Sequence, residues 1–218
     1  MSEKKITTDL LNYRVIEPNS LTIDSKLIIL LHGFGASMND IVPVASYLAN
    51  KGHLCICPNG PIKLEVFDGG YAWGEFVNNS VKLSLESIDR LQRFLFEIVP
   101  SHNIENLRVI LAGFSQGGMI SCYAGITIRN LVDGIVVLSS PFIKELNNVD
   151  FGKVNIGTPI FLAHGINDLV VPITDARQMK DKLVEKGYEV NYKEYSLEHS
   201  ISPNVVDDVL NWLDVKIN

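Results

Sequence analysis

One serine sits between glycines in Gly113-Phe114-Ser115-Gln116-Gly117-Gly118, directly after the apolar run Val109-Ile110-Leu111-Ala112 and ahead of a helix-compatible segment. A serine hydroxyl becomes a useful nucleophile when a sharp turn lifts it clear of a sheet and a base takes its proton. Gly113 and Gly117 suit such a turn, because side chains there would collide as the helix crosses back over the strand. Gln116 follows the serine, so its backbone N–H opens a helix, where free donors and the dipole favour negative charge. An isolated G-x-S-x-G is also an ordinary glycine-rich turn, so the partners have to supply the distinction.

A serine of this kind needs a histidine to take its proton and a carboxylate to fix the imidazole tautomer, and in a strand–serine–helix elbow they follow in the chain order Ser, Asp or Glu, His. Five histidines are present. His32 and His164 end core strands just before a glycine and read as loop-holding groups; His32 also precedes the serine. His53 and His102 lie in polar connections. His199 falls between the last expected strand and the last expected helix, and it is the candidate base. Asp168 lies a few residues beyond the apolar run Pro159-Ile160-Phe161-Leu162-Ala163, at the carboxyl end of a strand, where ligands gather in open α/β sheets. It is the candidate acid, with Asp175 and Glu198 as rivals. The turn His32-Gly33-Phe34-Gly35 supplies the last component. There the Phe34 N–H can pair with the Gln116 N–H as an oxyanion hole.

The elements that must carry these residues alternate along the chain. Lys26-Leu27-Ile28-Ile29-Leu30-Leu31 is almost continuously apolar, as a parallel strand buried on both faces should be. A helix over 38–50, capped by Ser37 or Asn39, and a strand over 54–58 follow. Residues 59–77 read as a long Gly- and Pro-punctuated loop, and 80–99 as an amphipathic helix with apolar residues three and four apart. Strands at 134–138, 159–163 and 188–195 alternate with the elbow helix and with helices at 175–186 and 203–215. An edge strand is expected over 12–17. The pattern predicts an α/β fold with a doubly wound, mostly parallel sheet, in one domain spanning 1–218.

Composition narrows the partners. The 218 residues are 46% hydrophobic and 20% charged, which excludes a disordered chain, and the net charge is −6. No basic stripe occurs, so nucleic acid is not expected as a partner. No apolar run reaches the length of a membrane span, so no stable membrane insertion is expected. The first nine residues lack an apolar signal core, and the three cysteines show no C-x-x-C spacing. Both point to a cytoplasmic protein with buried thiols.

Taken together, Leu31-His32-Gly33-Phe34-Gly35, Pro58-Asn59-Gly60-Pro61, Ala72-Trp73, the Gly113–Gly118 elbow, His164-Gly165 with Asp168 and Val171-Pro172, and His199-Ser200 resemble the phospholipase/carboxylesterase family of α/β-hydrolases. That family includes bacterial carboxylesterases and acyl-protein thioesterases. The resemblance implies Ser115 as nucleophile, His199 as base, Asp168 as acid, and the Phe34 and Gln116 amides as oxyanion donors. It implies no cofactor or metal, a small acyl-ester or thioester substrate, and a homodimer, and it puts Trp73 in the acyl pocket. The chain departs from the family at Gly74-Glu75, where an aromatic and an aspartate are usual, and at Glu198, where a glycine often precedes the base. Residues 139–158 are too few for a helical cap domain, so loops alone should cover the site. Leu64, Val66 and Phe67 are the expected cover over the acyl chain, with Gly69-Gly70 as the hinge. The activity this predicts is a serine carboxylesterase for short- to medium-chain esters. The alternatives are a thioesterase or lysophospholipase for longer chains and, more remotely, a hydrolase-like protein that binds an apolar ligand without turnover.

Overall fold

The computed structural model describes residues 1–66, 69–77, 80–101, 107–151, 154 and 156–217. Its centre is an eight-stranded sheet in the order β1 (Ser2–Ile6), β2 (Tyr13–Glu17), β4 (Leu54–Pro58), β3 (Lys26–Leu31), β9 (Arg108–Phe114), β10 (Gly134–Leu138), β11 (Ile160–Gly165), β12 (Val190–Tyr195). Neighbours from β4 through β12 pair in parallel, while the β1–β2 and β2–β4 pairs are antiparallel. The fold is therefore α/β with a mostly parallel sheet, as expected.

β3, β4, β10 and β11 are buried at every position, which is why they are continuously apolar in sequence. Alternate residues feed two cores. Leu27, Ile29, Leu111, Val137 and Leu162 face one layer, while Ile28, Leu30, Ile110, Val136 and Phe161 face the other. The first core takes Leu91 and Leu95 from α2 (Leu85–Ser101) and Met179 and Leu183 from α4 (Ile173–Glu185). The second takes Ala45 and Leu48 from α1 (Val42–Asn50) and Val209 and Leu213 from α5 (Pro203–Lys216). Each fully buried aliphatic side chain contributes about 1.5–3 kcal/mol. The elbow helix α3 (Gln116–Thr127) is buried nearly all round, so it shows no polar stripe.

The structure corrects several expected boundaries. Residues 13–17 do not form the sheet edge: β1 pairs outside them, its polar sequence suiting an exposed edge strand. α1 begins at Val42 without a side-chain cap. Ser37 is engaged one turn earlier, its N–H and hydroxyl both donating to Asp40 Oδ2 at 2.9 and 2.7 Å. The helix expected from residue 80 starts at Leu85, because β8 (Ser80–Leu83) pairs with β7 (Gly74–Val77). Within the expected long loop, β5 (Ile62–Leu64) pairs with β6 (Gly70–Ala72). Gly74 has a steric role in the outer hairpin, since a Cβ there would lie 2.1 Å from the Lys82 carbonyl oxygen. With the backbone as it runs here, position 74 admits no side chain. The three cysteines are free and buried. Among the described residues no helix is long and apolar enough to cross a membrane.

Candidate active site

β9 ends at Phe114 and α3 begins at Gln116, which leaves Ser115 alone to turn the chain. Its backbone takes φ 54° and ψ −118°, a region costing a non-glycine residue roughly 1–3 kcal/mol. Close packing holds the turn in place. A Cβ on Gly113 would lie 2.1 Å from the Gly117 carbonyl oxygen, and one on Gly117 would lie 2.3 Å from that of Leu31. The strained serine is also tied to β10, its N–H donating to Leu138 O at 2.8 Å.

The loops after β11 and β12 are laced together. Ile166 N–H donates to Tyr195 O at 2.7 Å and Asn167 N–H to Leu197 O at 3.0 Å. The next residues along each loop, Asp168 and His199, therefore meet. His199 Nδ1 lies 2.7 Å from Asp168 Oδ2, and His199 Nε2 lies 3.0 Å from Ser115 Oγ. Nδ1–H donates to the carboxylate, so Nε2 presents a lone pair to the serine hydroxyl. The Phe114 ring packs against the imidazole with centroids 4.7 Å apart.

Asp168 is buried, and its Oδ1 accepts from the Val170 and Val171 N–H groups at 2.9 and 2.8 Å. Desolvation by burial pushes its pKa up; the Val171 N–H and His199 outweigh that and hold it below the ordinary carboxylate value. Of the rival acids, Asp175 accepts from the Phe142 N–H at 3.0 Å, and Glu198 is exposed.

His32 and His164 hold loops, as their positions suggested. His32 Nε2 accepts from the Gly60 N–H at 2.9 Å, which leaves Nδ1–H to donate to Gly33 O at 2.7 Å. Burial lowers its pKa to about 4, so the ring is neutral near pH 7 with both nitrogens used. His164 Nε2–H donates to Val171 O at 2.9 Å, bracing the Asp168 loop. His102 lies outside the described residues.

Ser115, His199, Phe34 and Gln116 line one cavity of about 890 Å³. Its apolar wall comes from Ile41 and Val44 at the start of α1, with Val81, Phe142 and Val170. Sequence reasoning missed these residues. Ile41 and Val44 carry a weak signal, apolar spacing of three at a helix start, but the others arrive from separate loops.

Two expected pocket residues are elsewhere. Trp73 is completely buried and its indole N–H donates to His32 O at 3.1 Å, so it belongs to the core beneath the site. Leu64 lines a separate depression beside Met38, Asn39 and Tyr71. The cause is strand pairing: β5 lies against β6, whose Tyr71 exchanges hydrogen bonds with Gly35 and Ala36. Val66 is 90% exposed, and Phe67 lies outside the described residues.

This sheet order and strained serine define an α/β-hydrolase. The sequence matches the phospholipase/carboxylesterase family over residues 12–217, and the chain belongs to that family of hydrolases. It is 29% identical over 208 residues to acyl-protein thioesterase 1 of Debaryomyces hansenii, covering 86% of this chain and 89% of that one. Among solved structures, esterase PE8 superimposes with a TM-score of 0.81 at 21% identity over 93% of this chain and 97% of that one. A carboxylesterase from Mesorhizobium loti superimposes with a TM-score of 0.79 at 18% identity, covering 97% and 98%. At such identities the structural likenesses bear on the fold alone.

Proposed function

We propose that this chain is a serine carboxylesterase that hydrolyses short- to medium-chain carboxylic esters through an acyl-enzyme. The observation that carries the reading is the continuous relay Ser115 Oγ–His199 Nε2 (3.0 Å) and His199 Nδ1–Asp168 Oδ2 (2.7 Å), opening onto the cavity. Ser115 Oγ attacks the ester carbonyl as its proton passes to His199 Nε2. The oxyanion forms between the Phe34 and Gln116 N–H groups, and each such donor is worth about 3–4 kcal/mol of barrier. Collapse breaks the bond to the leaving oxygen, which takes the proton from His199. Water deprotonated by His199 then attacks the acyl-enzyme and restores Ser115. Asp168 stays ionised throughout and stabilises the imidazolium.

The cavity supports an acyl substrate. It combines a few convergent polar groups with an apolar wall, and its volume lies in the upper part of the roughly 300–1,000 Å³ usual for small-molecule sites. The free, buried thiols support a reducing compartment, and we place the reaction in the cytoplasm. A second reading, hydrolysis of thioesters on longer acyl chains, draws support from the D. hansenii relative's name. Both readings share one acyl pocket and differ in the leaving group.

Hydrolysis of p-nitrophenyl esters from acetate to palmitate, beside an S-acyl thioester series and the Ser115→Ala variant, tests both. Serine-dependent turnover peaking at short or medium oxygen esters supports the carboxylesterase. Preference for long-chain thioesters moves the assignment to a thioesterase. Folded protein with no turnover on any of them overturns both and leaves a ligand-binding protein.

A further inference from the structure

Three hydrogen bonds that the acyl-transfer scheme does not use converge on residues 71–74. The Trp73 backbone N–H donates to Gln116 Oε1 at 2.8 Å, and Gln116 Nε2 donates to Gly74 O at 3.1 Å. The Trp73 indole N–H donates to His32 O at 3.1 Å. Two backbone bonds complete the grip: Gly35 N–H to Tyr71 O at 3.0 Å and Tyr71 N–H to Ala36 O at 2.8 Å. The segment therefore holds the turn at His32 and at Gly35-Ala36, on either side of Phe34, and it holds Gln116 by its side chain.

These two places carry the oxyanion donors. β3 and β9 are paired neighbours, which sets the strand ends Leu31 and Gly113 at the strand spacing of about 4.8 Å. An oxyanion hole asks for more, because each N–H must point at an oxygen about 2.7–3.1 Å away. The Gln116 amide is well suited to this demand. Its oxygen and nitrogen take one donor and one acceptor of the same two-residue stretch, which fixes both distance and tilt. Trp73 is 0% exposed, and Gln116 and His32 are each 1% exposed. A buried polar network with its members satisfied is rigid.

We propose that the Gln116 side chain and the Trp73 indole are positioning residues that set the separation and aim of the Phe34 and Gln116 amides. Residues 71–74 act as a brace between the 32–36 turn and the start of α3. The proposal rests on the acyl-transfer reading and adds to it a function for side chains that do not meet substrate. It also accounts for a tryptophan that lies beneath the site, bonded to cavity-lining residues without itself lining the cavity.

Two variants test the brace. Gln116→Met keeps the chain length and the backbone N–H but removes both side-chain bonds, and Trp73→Phe keeps an aromatic ring but removes the indole donor. Each is assayed with p-nitrophenyl butyrate, per titrated active site, for kcat, KM and inhibition by an alkyl boronic acid, which forms a tetrahedral adduct on serine. Displacement of a reacting group by about 1 Å costs on the order of a hundredfold. We expect kcat to fall about 10- to 100-fold in Gln116→Met and less in Trp73→Phe. KM should stay within about twofold and boronic acid affinity should weaken in step with kcat, the pattern of an interaction made in the transition state. A lower thermal midpoint with kcat and boronic acid affinity unchanged would mean a merely structural role and overturn the proposal. If Gln116→Met does not fold, Trp73→Phe decides the matter by the same criteria. Hydrolysis that survives Ser115→Ala would instead overturn the acyl-transfer reading, so the two failures are told apart.

Discussion

The strand ends that carry Ser115, Asp168 and His199 differ from the excursion over residues 59–83 in how each obtains its shape. At the elbow the shape is enforced at atomic contact: Gly113 and Gly117 sit where a Cβ would meet backbone oxygen at 2.1 and 2.3 Å, and a strained serine follows from them. The excursion is two short hairpins whose form depends on pairing with partners three to ten residues away and on bonds to a distant turn. The lesson is that a steric requirement can be read from a motif, whereas a pairing cannot. The excursion resembles a lid in sequence, yet its inner end is buried beneath the site.

The largest effect that probes this contrast is at the elbow. Ser115→Ala should lower kcat/KM by about 10⁴- to 10⁶-fold while circular dichroism and the thermal midpoint stay near wild type. Unaltered ester turnover would break the account of the elbow altogether.

Glycine substitutions compare the two regions directly. Gly117→Ala forces a methyl into two backbone oxygens, Leu31 O at 2.3 Å and His32 O at 2.6 Å. It should destabilise by about 3 kcal/mol or more and abolish turnover. Gly69→Ala places its methyl in open space at φ 73°, so only the conformational cost of about 1–2 kcal/mol applies. Chemical denaturation of both variants measures the difference. Equal destabilisation would erase the distinction between a sterically enforced turn and a paired one.

A pH effect sharpens the picture at the turn joining the two regions. The unfolded His32 titrates near 6.5 and the folded one near 4, because burial disfavours the charged ring. Between those values the unfolded state binds more protons, so stability falls as pH drops from about 6.5 to 4, by about 3 kcal/mol from this residue. His53, also lowered chiefly by burial, acts in the same direction. Asp168, held below the ordinary carboxylate value, adds its loss only at lower pH. Denaturation midpoints across pH 7 to 4 should show the decline, and His32→Gln should flatten it. A wild-type curve level over that range would refute the assignment of a neutral buried ring.

The smallest effects separate the cavity wall from the excursion. Leu64→Ala should leave the acyl-chain profile within about twofold, since Leu64 lines another depression. Val44→Phe narrows the cavity that holds Ser115 and should move the optimum toward shorter chains. A shift in the first profile without one in the second would return the lid to consideration.

How much could be read in advance follows the same division. The buried parallel strands were legible because burial on both faces demands continuous apolar sequence. The elbow was legible because its glycines are sterically obligatory. The loop positions of Asp168 and His199 followed from strand order, and the structure brings both to Ser115 at hydrogen-bonding distance. The edge strand was misplaced, since Ser2–Ile6 is polar and exposed and owes its existence to β2. The start of α2 was misplaced because Val81 fits a helical stripe as well as it fits β8. Trp73 was expected against substrate, as an aromatic near an active site invites. A buried indole N–H must find an acceptor, and here that acceptor is His32 O.

What the sequence by itself determined is the set of residues with local obligations: the apolar strands, the glycine-bound serine, and the order in which nucleophile, acid and histidine appear. Tertiary structure alone decided which side chains wall the cavity, which way the hairpins fold, and that Gln116 and Trp73 are hydrogen-bonded into one buried network. The reason is physical. Local obligations arise from sterics and burial along one stretch of chain. The Gln116–Trp73–His32 connection joins three segments remote in sequence, whose polar groups find one another only after the sheet has closed the distance between them.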